Sequence, residues 1–73
     1  MDKPTPPETL ADALPREMQR VREILPHYKK IGPAGMFAVA MIEADLRAAE
    51  KAMMAGDVVA MLRVYQSLKE VDS

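Results

Sequence analysis

The chain has no cysteine, no tryptophan, one histidine and three aromatic residues in 73. Without cysteine, neither a disulfide nor a thiolate metal site can reinforce the fold. Nucleophiles are scarce as well. Apart from the tyrosines, the hydroxyls are Thr5, Thr9, Ser67 and Ser73, none with a histidine near it in sequence. No His/Asp/Glu group has the spacing of a metal site, so no metal, cofactor or catalytic residue is expected and the chain reads as a non-enzyme. Long apolar runs are missing too. The longest uncharged stretch, residues 31–42, is too short to span a bilayer, and no basic segment precedes an apolar one at the N-terminus. A cytoplasmic protein with no membrane partner is the expectation. A basic excess is also absent: ten Lys and Arg stand against eleven Asp and Glu, for a net charge of −1. That argues against DNA, which rewards a positive surface.

What the chain does have is alanine, seven methionines and a hydrophobic fraction of 49%. These favour helices with close, adaptable packing. A single domain of this size sits near the lower limit for independent folding, so self-association is the remaining common support.

The chain is organised around Ile31-Gly32-Pro33-Ala34-Gly35. Glycine ending one helix and proline opening the next make a tight corner. Before it, residues 1–7 form a flexible Pro-rich arm, and residues 8–73 form one helical domain. Thr5-Pro6-Pro7-Glu8 matches a capping box, which predicts a short helical turn from Pro6 to about Ala13. Pro15 then predicts a bend at Leu14. A helix over about 15–30, kinked at Pro26, carries a buried stripe of Leu14, Met18, Val21, Leu25 and Tyr28.

A second helix over 33–55 is apolar on every side in its first two turns, where Met36, Phe37, Ala38, Val39, Met41 and Ile42 follow one another. Such a helix must be covered all round. Its mostly small stripe holds one charge, Asp45, for which Arg20 or Arg63 is the expected partner. Gly56-Asp57 makes the turn into a third helix over 57–71, expected to bury Val58, Met61, Leu62, Tyr65 and Leu68. The fold class is all-α, a small bundle of three helices.

Two surfaces emerge. Two partner helices cannot cover the whole circumference of the second helix, so Phe37, Ala38, Met41, Ile42 and Asp45 are the expected interface of a homodimer or a multiple of one. On the first helix, Arg16, Arg20, Glu23, His27 and Lys30 share a face, with Tyr28 and Gly32 at its end. Arg16, Arg20, His27, Tyr28, Lys30 and Gly32 therefore form a candidate site for an anionic small molecule such as a nucleotide, since arginine forks suit phosphate and a tyrosine ring offers a stacking surface. The plainer alternative is the wet side of an amphipathic helix, with Glu17 and Glu23 neutralising their neighbours.

The series Leu14-Pro15-Arg16-Glu17, Tyr28, Ile31 to Gly35, Asp45-Leu46, Gly56-Asp57, Tyr65 and Leu68-Lys69 resembles a group of very short helical proteins encoded in bacteriophages and prophages. The resemblance spans about residues 10–70. It implies a non-catalytic accessory protein acting by binding: an anti-defence protein that sequesters a nucleotide signal or blocks a host protein. The alternative is a structural or adaptor hairpin that docks onto a larger protein. No functional residue is carried over from the group.

Overall fold

Thr9 starts the first helix in the computed structural model, which describes residues 9–71. Its backbone is extended, its Oγ1 accepts from the Asp12 N–H at 3.2 Å and donates to the Asp12 carboxylate at 2.9 Å. The side chain thereby satisfies one of the amides a helix start leaves unpaired. The box expected at Thr5 to Glu8 and the arm over 1–7 lie outside the described residues.

From this cap, α1 runs unbroken over Leu10–Lys29. Leu10 to Ala13, expected in a short turn before Pro15, belong to the same helix as the residues after it, and Pro15 lies inside that helix; Pro6 to Glu8 lie outside the described residues. A proline so close to the start forfeits one bond, to the Ala11 carbonyl. Carrying the helix through it leaves Leu14 fully buried and Leu10 packed against the core. Burying one leucine is worth about 2 kcal/mol, which offsets much of the proline's cost. Pro26 also lies inside the helix, which continues to Lys29, and Tyr28 packs against the core.

The corner closes as the residue types dictate. Gly32 caps α2 with φ 105° and ψ −151°, angles that only glycine adopts without strain. Pro33 takes the first helical position, and α2 spans Pro33–Ala55. Gly35 is buried there for a separate reason. A Cβ on it would stand 1.9 Å from the Tyr28 carbonyl oxygen and 2.9 Å from the Ile31 Cβ. The end of α1 thus presses on the first turn of α2 at a distance that tolerates hydrogen alone.

At its far end α2 stops on Gly56, left-handed at φ 66°. The Gly56 N–H reaches the Met53 carbonyl at 3.2 Å and the Asp57 N–H the Ala52 carbonyl at 3.0 Å. This paired pattern caps the helix C-terminus. Asp57 then caps α3, Val58–Lys69, accepting from the Ala60 N–H at 3.1 Å.

No strand occurs among the described residues, and the three helices enclose one core. Leu14, Met18, Val21 and Leu25 face Val39, Ile42, Leu46, Ala49 and Ala52, with Met61, Val64 and Leu68 closing the third side. The expected α3 stripe is corrected at three positions. Val58 and Leu62 are exposed, and Val64 is buried. Residues 58–62 are apolar on nearly every side, so their spacing leaves the rotation of the helix open; Val64, Tyr65 and Leu68 fix it. Ile42, expected at an intermolecular interface, belongs to the core at 6% exposure, as does Val39.

Alpha-3 is shorter than its neighbours, and its end is tied to both. Arg20 donates to the Val71 carbonyl at 3.1 Å and the Leu68 carbonyl at 3.0 Å, while also meeting the Glu17 carboxylate at 2.6 Å. Ser67 donates to Asp45 at 2.8 Å. Alpha-3 therefore ends level with Arg20 and Asp45. With Asp45 beside Ser67 and α3 ending two residues later at Lys69, the first turns of α2 extend beyond α3 alongside α1.

Candidate functional site

The first two turns of α2 show what a two-helix stretch can and cannot bury. Val39 and Ile42 turn toward α1 and the core. Phe37 and Met41 turn away, 70% and 57% exposed, and Ala38 beside them is half-buried. Ala44 and Ala48 continue the same row at helical spacing, both exposed. The result is an apolar ridge: two large side chains, then a smooth alanine track. Single exposed apolar residues are ordinary; here two large ones and the alanines lie in one row.

Beside that track, α2 and α3 enclose an open groove of about 440 Å³ lined by Asp45, Ala48, Val59, Ala60, Arg63 and Ser67. Asp45 sits at its edge, and its partner is the Ser67 hydroxyl rather than Arg20 or Arg63. Arg20 is held by Glu17 and by the end of α3. Arg63 lines the same groove, and its side chain is exposed. The groove brings together two carboxylates, Asp45 and Asp57, the Arg63 guanidinium and the Ser67 hydroxyl. No histidine or thiol joins them, and among the described residues no group of three or more His, Cys, Asp and Glu stands where it could hold a metal ion.

The residues expected to bind an anion are placed as follows. Arg16, His27 and Lys30 are exposed on the outer face of α1; Tyr28 is half-buried against the core; Gly32 is the α2 cap. Arg20 is turned toward α3, its guanidinium engaged with one carboxylate and two carbonyl oxygens. From Arg16 to Lys30 the face runs about 21 Å along the helix, so the row does not converge on one small ligand. The Met36 N–H at the start of α2 is already donated to the Gly32 carbonyl at 2.9 Å.

Three features escaped the reading of the sequence. The link from Arg20 to the end of α3 joins residues 48 and 51 positions apart, beyond any local pattern. The Arg22–Glu50 ion pair, 2.9 Å between α1 and α2, joins residues 28 positions apart. The packing role of Gly35 is the third; its signal is a glycine three residues inside the expected helix, where glycine needs a packing reason.

Comparison of the chain with protein-family models, curated proteins and solved structures gives no match. Among the described residues no helix is long and apolar enough to cross a membrane.

Proposed function

We propose that the protein is a non-catalytic, phage-type accessory protein of the cytoplasm that acts by binding, with the α2 ridge as its docking surface and a homodimer, or a multiple of one, as its form. The observation that carries the reading is the exposure of Phe37 at 70% on a helix face whose neighbours are Met41 and alanines. Covering a phenylalanine and a methionine is worth about 1.5–3 kcal/mol each, a gain that an isolated chain forgoes. Closed twofold symmetry is the commonest way for identical chains to recover it, and the alanine track lets two helices approach closely.

Within this reading, the geometry favours a protein that blocks another protein over one that sequesters a nucleotide. A ridge suits a protein groove, whereas Arg20 is engaged internally and the basic face is spread out. The adaptor reading uses the same ridge against a larger partner and is separated by stoichiometry. Sedimentation of the purified chain at tens of micromolar should give twice the 8.1 kDa chain mass or a multiple of it. Ala38→Glu should convert that species to monomer with helical circular dichroism retained. A compact 8.1 kDa monomer for the unmutated chain overturns self-association and leaves the ridge to a different protein. Nucleobase absorbance retained through purification would instead favour sequestration; with no tryptophan in the chain, that signal is easily read.

A further inference from the structure

Between Glu23 and Glu43 the chain carries no carboxylate. Apart from the half-buried Tyr28, the charged or titratable groups in that interval are His27, Lys29 and Lys30, all exposed at the end of α1. Elsewhere in the chain, the other eight Lys and Arg face eleven Asp and Glu. The charge of this protein is therefore divided: the α1–α2 corner is basic, and the remainder is acidic on balance.

The same corner displays apolar side chains. Ile31 at its apex is 63% exposed and Met36, in the first turn of α2, is 50% exposed. Basic residues in the last turn of a helix suit its dipole, which accounts for Lys29 and His27 but not for the apolar pair. The display is also fixed. Gly32 holds the chain at φ 105°, and the Ile31 Cβ lies against Gly35 with no room for another carbon between them. Met36 stands about 100° around α2 from Phe37, so this patch is separate from the ridge.

A convex, rigid corner with apolar side chains at the apex and amines beside them matches the layering of a lipid surface. Apolar side chains enter the acyl boundary, and lysines reach headgroup phosphates on flexible stems. An acidic protein would need a pocket shaped to the corner; a bilayer needs none. We propose that the α1–α2 corner is a peripheral anchor for an anionic phospholipid surface, with Lys29, Lys30 and His27 at the headgroups and Ile31 and Met36 inserted below them. Contact of this kind needs no spanning helix, and with so few groups it is reversible.

The test uses vesicles of phosphatidylglycerol mixed with phosphatidylcholine, and vesicles of phosphatidylcholine alone. The unmutated chain should sediment with the anionic vesicles at low salt, be released at high salt, and stay in solution with the neutral ones. Ile31→Trp supplies a fluorophore the chain lacks, and its emission should shift to the blue on the anionic vesicles. Lys29→Glu combined with Lys30→Glu should keep the helical spectrum and lose at least about tenfold in partitioning. Failure of the unmutated chain to sediment with anionic vesicles at low salt overturns the proposal, as does partitioning that the double charge reversal leaves unchanged. Binding to soluble poly-glutamate as strong as to vesicles, with no blue shift at Trp, would replace the lipid by an acidic protein surface.

Discussion

The two corners of the chain are built on the same residue and do different work. Gly32 and Gly56 both sit at positive φ, and a Cβ on either would meet open space. At the second corner nothing more is asked of glycine. At the first, Gly35 follows within a turn, and there the backbone of α1 leaves no volume for a side chain. The first corner is therefore a packed joint and the second a conformational hinge. It follows that the α1–α2 junction is fixed by backbone packing, whereas the α2–α3 junction depends on the Gly56 conformation, with α3 held along its length by Met61, Val64 and Leu68 in the core and at its end by Arg20. The corners differ in charge too: the first has only basic groups, while Asp57 caps the helix at the second and Lys51 lies a turn and a half before it.

Gly35→Ala should produce the largest effect. The added carbon meets a carbonyl oxygen at 1.9 Å, and main chain cannot swing aside as a side-chain tip would, so α1 and α2 must separate along the stretch where no third helix supports them. Overpacking of this kind costs about 3 kcal/mol, a large share of the stability of so small a domain. Gly56→Ala, with space but a left-handed backbone, should cost about 1 kcal/mol. Urea denaturation followed by circular dichroism measures both. Equal losses at the two positions would erase the distinction between joint and hinge.

How far the sequence revealed all this depends on how local each feature is. Gly32-Pro33 and Gly56-Asp57 were legible because caps depend on neighbours along the chain, and both helix boundaries of α2 fall where those residues put them. The stripe Leu14, Met18, Val21 and Leu25 was legible from its spacing. Pro15 misled because proline's cost is judged locally, while its compensation, the burial of Leu14, comes from two other helices. Val58 and Leu62 misled because periodicity has no phase in a stretch apolar all round. Asp45 misled because its partner was sought among charges. The patch at the first corner is not legible as a spanning segment; it appears only when Ile31 and Met36 are seen together with the lysines.

Arg20 carries the next effect. It holds two carbonyls at the end of α3 while Glu17 orients it, so it joins the end of α3 to α1. Its side chain is 38% exposed, which places the loss in Arg20→Ala at about 1–2 kcal/mol rather than the larger figure of a buried charge. The location of the loss is the sharper readout. Hydrogen exchange should accelerate in the last turns of α3 and leave the Tyr28–Val39 joint unchanged. Faster exchange spread evenly over all three helices would mean that α3 is not separable from α1 and α2.

The smallest effect belongs to Asp45, the other tie between α2 and α3. A charge in a row of small side chains predicted an ion pair, and removing one partner of a buried ion pair costs about 3–5 kcal/mol. The bond that forms is from the Ser67 hydroxyl at 2.8 Å, at an exposed site beside an open groove. In Asp45→Asn the amide oxygen still accepts that hydroxyl, and what disappears is the extra strength of a charged acceptor at a site water already reaches. The expected loss is below about 1 kcal/mol. Ser67→Ala should match it, since each variant weakens the same bond, and the double variant should cost little more than either single one. A loss near 3 kcal/mol in Asp45→Asn with Ser67→Ala silent would show that Asp45 serves a partner other than Ser67. Because Asp45 borders the alanine track, that partner would belong to whatever covers the ridge, and sedimentation of the variant would show whether the assembly dissociates with it.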